Sequence, residues 1–138
     1  MTALVVDASV VIKWFLPEIH SDAAQQLLHT DNHLLAPDLL FAELGNVLWK
    51  KVERGQLTQE DGKRLATDVC GIAVETVATG LLLEDSYALA VAVHCTVYDA
   101  LYVALASRLR TTCVTADERL YGAVTRIPTI KHLVRLLA

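Results

Sequence analysis

Ala3-Leu4-Val5-Val6-Asp7 opens the chain with four apolar residues, two of them β-branched, followed at once by an acid. A continuous apolar run this short, without the alternation of a half-exposed strand, marks a strand buried on both faces, and such strands belong to parallel sheets covered by helices. Parallel neighbours need long crossover connections, so the remainder of the chain is expected to alternate helices with strands.

The punctuation along the chain meets that expectation. Ser9 suits the cap of a helix over residues 10–16, which Pro17 stops, and a second helix covers residues 20–29. His33-Leu34-Leu35-Ala36 is a second strand, and Pro37-Asp38 opens a long helix running to about Arg54, where Gly55 ends it. Thr58-Gln59-Glu60-Asp61 has the form of a capping start for a helix to about residue 69. Residues 72–77 alternate as a third strand, and Gly80 precedes a helix over residues 81–93. Further on, residues 111–115 form a strong strand and 117–121 a short helical turn, followed by a weak last strand at 126–130 and a closing helix at 131–137. The pattern predicts an α/β fold, a parallel sheet between two helical layers with right-handed crossovers, whose ligands sit outside the carboxyl ends of the strands.

Within this frame Val97-Tyr98-Asp99-Ala100-Leu101-Tyr102-Val103-Ala104-Leu105-Ala106-Ser107 reads as a helix apolar on every side, hence an interior one, with an acid in its first turn. Asp99 has two competing roles. One is the N-cap, with Tyr98 and Val103 as the hydrophobic staple around it; the other is a functional carboxylate. Three more acids stand at similar apolar junctions. Asp7 follows the first strand directly, and Ser9 is available to do the capping in its place. Glu43 has Leu39, Leu40 and Val47 at i−4, i−3 and i+4, so it faces the protein, where a Glu needs a cation or a basic partner. Asp117 follows the strand at 111–115, and the capping pattern Thr115-Ala116-Asp117-Glu118 explains Thr115 and Glu118 without explaining Asp117. Carboxylates at buried edges repel one another unless a cation joins them, so Asp7, Glu43, Asp99 and Asp117 are expected to be drawn together at one rim of the sheet by a divalent metal. Asn46, at i+3 from Glu43, is a supporting contact or a solvated residue.

Composition bounds the alternatives. At 138 residues the chain fits a single domain spanning 1–138. A hydrophobic share of 54% exceeds the usual level, which implies apolar surface covered by a partner. The net charge of −4 argues against a generally basic protein that coats nucleic acid, though not against a local basic patch. Three cysteines far apart, with no pair at ligand spacing, fit free thiols in a reducing cytoplasm. Each apolar run is interrupted well short of the roughly 20 residues that span a bilayer. The five histidines form no HxH or HxxxH pair, and no P-loop, GxGxxG or GxSxG motif occurs.

The segments Val6-Asp7-Ala8-Ser9, Pro37-Asp38-Leu39-Leu40-Phe41-Ala42-Glu43, Tyr98-Asp99-Ala100-Leu101-Tyr102-Val103-Ala104-Leu105-Ala106 and Thr115-Ala116-Asp117 resemble, in order and spacing, the PIN-domain ribonucleases, in particular the VapC toxins of toxin-antitoxin pairs. The resemblance covers essentially the whole chain. It implies a three-layer α/β/α sandwich with a mostly parallel five-stranded sheet, and Mg2+- or Mn2+-dependent endonucleolytic cleavage of RNA. It also implies a homodimer neutralised by a cognate antitoxin that lies across a hydrophobic groove. Carried over by position, its acidic quartet falls on Asp7, Glu43, Asp99 and Asp117, with Ser9 and Thr115 as supporting hydroxyls.

Magnesium takes hard oxygen ligands and keeps several waters, so four acids suffice for one or two ions. Backbone phosphates need cations beyond the metal; the candidates are Lys13, Lys50, Lys51, Arg54 and Arg119, each of which is equally readable as a solvated helix residue. Two rivals from other classes stay open. A phosphoacceptor receiver domain needs an acidic pair after strand one and a Lys after strand five, positions this chain leaves empty. A non-catalytic interaction module would use the acids only to tune a partner surface.

Overall fold

The computed structural model describes residues 2–138. Its five strands, β1 (Thr2–Val6), β2 (Asn32–Pro37), β3 (Glu75–Val77), β4 (Cys113–Thr115) and β5 (Val134–Leu136), form one sheet in the order β3-β2-β1-β4-β5. All four ladders are parallel. β1 is central, pairing Leu4 with Leu34 on one side and Val6 with Val114 on the other, and Val5 and Val6 are fully buried, as the doubly apolar run requires.

Seven helices connect the strands: α1 (Ala8–Val11), α2 (Ser21–His29), α3 (Leu39–Glu53), α4 (Gln59–Asp68), α5 (Leu83–Val93), α6 (Val97–Arg108) and α7 (Glu118–Thr125). The chain steps outward from β1 through β2 to β3, then returns across the sheet to β4 and β5. With right-handed crossovers that reversal puts α1 to α4 on one face and α5 to α7 on the other, the expected three-layer sandwich. It also makes the gap between the carboxyl ends of β1 and β4 a topological switch point, where open α/β sheets bind ligands.

The interior helix is α6: residues 100–106 are all buried, and the helix packs on β1, β2 and β4. One cluster of buried side chains runs from Leu4 to Leu137 and includes residues from all three layers. Outside it, α5 carries Leu83, Tyr87 and Val91 at intervals of four, all more than half exposed, near the similarly exposed Leu81 and Tyr98 in sequence. This is the unburied apolar surface that the composition implied. No single helix is long and apolar enough to cross a membrane.

Several local expectations are corrected. The last strand is Val134–Leu136, preceded by a 3-10 turn at Lys131–Leu133, so residues 126–130 form no strand and 131–137 no helix. Pairing with β4 decides this, because Leu137 N–H donates to the Thr115 carbonyl at 2.8 Å and closes the ladder. The helix expected over residues 10–16 is α1 followed by a 3-10 segment, Ile12–Trp14, and its cap is Asp7 rather than Ser9. β3 and β4 are shorter than expected, and α5 begins at Leu83 behind a 3-10 turn over Thr79–Leu81.

Candidate active site

Asp7 leaves the end of β1 and caps α1, accepting from the Val10 N–H at 3.3 Å. Its Oδ1 also accepts from the Ser9 hydroxyl at 2.5 Å, and its Oδ2 accepts from the Thr115 hydroxyl. Thr115, at the end of β4, is fully buried and in turn accepts from the Asp117 N–H at 3.0 Å. Thr115 therefore does not cap α7, contrary to the capping pattern in the sequence. Asp117 does, its Oδ1 accepting from the N–H groups of Arg119 at 2.9 Å and Leu120 at 3.2 Å. The Ser9 hydroxyl closes the strand ends together, accepting from the Ala116 N–H at 2.9 Å. Asp7, Ser9, Thr115 and Asp117 thus form one bonded unit across the β1–β4 switch point.

Glu43 and Asp99 come from helices. Glu43, on the second turn of α3, is half-buried and accepts from the Tyr102 hydroxyl of α6. Asp99 lies in the first turn of α6 but is not its cap: Thr96 is, accepting from the Asp99 N–H at 3.1 Å. The capping role weighed for Asp99 therefore falls away and leaves its carboxylate unassigned by local structure.

Electrostatics link the four in a row. Burial lifts the Asp7 carboxyl to about 6, opposed by its three hydrogen bonds and reinforced by the Glu43 charge. Glu43 is raised by burial, opposed by the Tyr102 bond and reinforced by Asp99. Asp99 is raised by burial and then by Asp117, while the Thr96 contact and the Arg119 charge pull it back. Below them Cys113, wholly buried, is pushed well above the ordinary thiol range by burial and by the charges of Asp7 and Asp99. In each of the three acids burial is the larger effect, and the charge of the next acid adds to it.

The row is not a single knot. Among the described residues no group of three His, Cys, Asp or Glu side chains converges closely enough to hold one ion by itself, so the four acids follow one another along the rim rather than forming one cage. The donor set nonetheless fits a hard divalent cation that takes one or two carboxylates and keeps waters. Among the described residues the ion pairs join Lys13, Lys51, His33 and Arg64 to Glu18, Glu75 and Asp61, and involve none of the four acids.

The other anticipated residues divide. Ser9 and Thr115 belong to the bonded unit. Arg119 lines a cleft together with Asp99. Lys13 and Lys51 both reach Glu18, at 3.2 and 3.7 Å, so their charge is partly matched. Lys50 and Asn46 are exposed on α3 and Arg54 at its C-cap, and among the described residues Asn46 shows no bond to an acid. Sequence reading missed Tyr102 as a site residue. Its signal was there: a phenol flanked by apolar residues in an interior helix, three residues after Asp99, needs a buried hydrogen-bond partner.

Residues 4–124 match the PIN domain family. This chain belongs to the PIN-domain family. It is 34% identical over 119 residues to Ribonuclease VapC3 of Pyrobaculum aerophilum, which covers 85% of this chain and 91% of that one. Among solved structures, Mycobacterium tuberculosis VapC20, described as a sarcin-ricin loop cleaving toxin, superimposes with a TM-score of 0.66 at 14% identity, covering 87% of this chain and 94% of that one. The VapBC2 structure from Rickettsia felis, bound to a promoter DNA fragment, gives 0.65 at 12% identity over 99% of this chain and 100% of that one. At those identities the two structures establish the fold, which is the PIN fold.

Proposed function

We propose that this PIN-domain protein is a metal-dependent endoribonuclease, the toxin of a VapBC-type pair, and that Asp7, Glu43, Asp99 and Asp117 hold its Mg2+ or Mn2+. One observation carries the reading: four carboxylates from four separate segments stand in electrostatic succession at the carboxyl rim of a parallel sheet, three of them raised by burial and by the charge of the next acid. Buried acids that also feel one another's charge, at the rim where such a sheet binds ligands, mark a functional site. The relation to Ribonuclease VapC3 supports RNA as substrate.

A hard divalent ion, when bound, would supply Lewis acidity toward water and would neutralise the scissile phosphate, which an acidic rim alone repels. The residues do the remainder. Ser9 and Thr115 fix the Asp7 carboxylate, Tyr102 fixes Glu43, and Asp117 spends Oδ1 on its helix, which leaves Oδ2 for the ion. Arg119 is the cation next to the acids, with Lys50 and Arg54 further along α3 for more distant phosphates. We read the chain as one cytoplasmic domain. The exposed apolar stripe on α5 supports a second copy or an antitoxin as its cover, and the toxin-antitoxin complexes among the structural neighbours support the antitoxin.

Glu43→Gln and Asp99→Asn are each expected to abolish magnesium-dependent cleavage of purified total RNA while leaving the far-ultraviolet circular dichroism unchanged. Full cleavage by both variants would overturn the assignment.

A further inference from the structure

Beside the acids, the turn between α5 and α6 and the start of α7 enclose an open cleft of about 300 Å³. That is the lower end of small-molecule sites, which run roughly from 300 to 1,000 Å³, and suits one nucleotide. Its lining divides by chemistry. Asp99 and Arg119 give it a charged wall, Leu120 and Ala123 an apolar floor, and His94 an aromatic rim. Arg119 spends its backbone N–H on Asp117, while its exposed guanidinium joins none of the ion pairs among the described residues. His94 caps α5 in the left-handed conformation, at φ 63°, with its N–H on the Ala90 carbonyl, so the turn that reverses the chain also presents the imidazole.

A planar guanidinium matches a phosphate through paired hydrogen bonds, and unpaired RNA bases are held by stacking on aromatic rings over apolar surface. We propose that this cleft receives the nucleotide adjoining the scissile phosphate of single-stranded RNA, with Arg119 on its phosphate and its base between His94 and the Leu120–Ala123 floor. The proposal rests on the nuclease reading above and deepens it: it names the side chains of this chain that hold the nucleotide beside the cut.

Two measurements test it on the full chain. Nucleoside 5′-monophosphates titrated with magnesium should shift the nuclear magnetic resonances of His94, Arg119, Leu120 and Ala123, and Arg119→Ala should remove the shifts. Shifts confined to other parts of the chain, or none, overturn the proposal without reference to activity. In the second, fluorescein-labelled single-stranded RNA is followed by anisotropy across a salt series. Arg119→Ala should lower the slope of log K against log salt by about 0.7, one phosphate contact, while Arg126→Ala, at the far end of α7, leaves it alone. His94→Asn keeps the left-handed backbone and loses the ring, so it should weaken binding by about tenfold; His94→Tyr should restore most of it. If the protein cleaves RNA while Arg119→Ala and His94→Asn bind like the parent, or if duplex binds as well as single strand, the cleft proposal fails and the nuclease reading stands. If no RNA is cleaved but the monophosphates still shift the cleft, the nuclease reading fails and the cleft remains a nucleotide site.

Discussion

Replacing Asp7 by Asn should make the metal-free protein more stable at neutral pH, although it removes the most completely bonded acid in the chain. Asp7 is 7% exposed, and burial lifts its carboxyl from 3.8 to about 6 despite bonds from Ser9, Val10 and Thr115. Because the folded value lies above the unfolded one, the folded state holds the proton more tightly. The stability this group contributes is complete below about pH 3.8 and is lost as pH rises through about 6. Two pK units correspond to about 3 kcal/mol of destabilisation near pH 7.5. At pH 4.5 the same linkage gives only about 1 kcal/mol. Asn carries no charge and escapes the penalty, but its amide must meet Thr115 Oγ as a donor where the carboxylate accepted, which costs about 1 kcal/mol. The net expectation is a gain of about 2 kcal/mol near pH 7.5 that vanishes near pH 4.5. Urea unfolding in a chelating buffer, followed by the fluorescence of Trp14 and Trp49, measures it. A variant less stable than the parent near pH 7.5, or a difference that ignores pH, would refute the reasoning.

Three further perturbations separate the parts of the site. Tyr102→Phe removes the donor to Glu43 inside the core; it should cost about 1 kcal/mol in unfolding free energy and, since that bond lowers the Glu43 value, move the acidic limb of the pH–cleavage profile upward. Gly62→Ala puts a methyl 2.7 Å from Val52 Cγ2 across the α3–α4 contact; Val is stiff at χ1, so denaturant unfolding should show a loss of about 1 to 3 kcal/mol with RNA cleavage retained at permissive temperature. Asp117→Asn keeps an oxygen to cap α7 and loses the charge, so thermal unfolding should match the parent within about 0.5 kcal/mol while cleavage is lost, whereas Asp117→Ala should lose cleavage and about 1 kcal/mol as well.

What the sequence made legible was what burial dictates over several residues. Val5 and Val6 announced a doubly covered strand, residues 100–106 an interior helix, and Leu39, Leu40 and Val47 turned Glu43 inward to its meeting with Tyr102. The C-terminal segment was unreadable for the opposite reason. Leu133 and Leu137 lie four apart and imitate a helix, while the observed strand is three residues long and exists because β4 offers it a ladder across about 20 residues of chain. Long-range pairing of that kind overrides local periodicity. Thr96-Val97-Tyr98-Asp99 was a different failure, since the cap pattern was present in the letters and was assigned three residues too late.

Capping and the proposed metal role need not be rivals at Asp7 and Asp117. In the structure both acids cap. A helix beginning directly behind a strand has orphan N–H groups at the carboxyl rim of the sheet, which is also where an α/β fold binds its ligand. A carboxylate there satisfies the backbone, and the backbone fixes its rotamer, so the acid is held in place before any ligand arrives. The cost is that acceptor capacity goes to the protein: Asp117 gives Oδ1 to two N–H groups, and Asp7 receives bonds on both oxygens. Acids so committed have less to offer an ion, which is a physical reason for the rim to recruit Glu43 and Asp99 from helices, where Thr96 does the capping at α6 and, among the described residues, the one side-chain bond to Glu43 comes from the Tyr102 phenol. On this argument Asp7 and Asp117 set the position of the site and Glu43 and Asp99 supply its least encumbered oxygens. Their loss should therefore weaken manganese uptake, read by calorimetry, more than the loss of Asp117 does; the reverse order would show that cap and ligand do not compete.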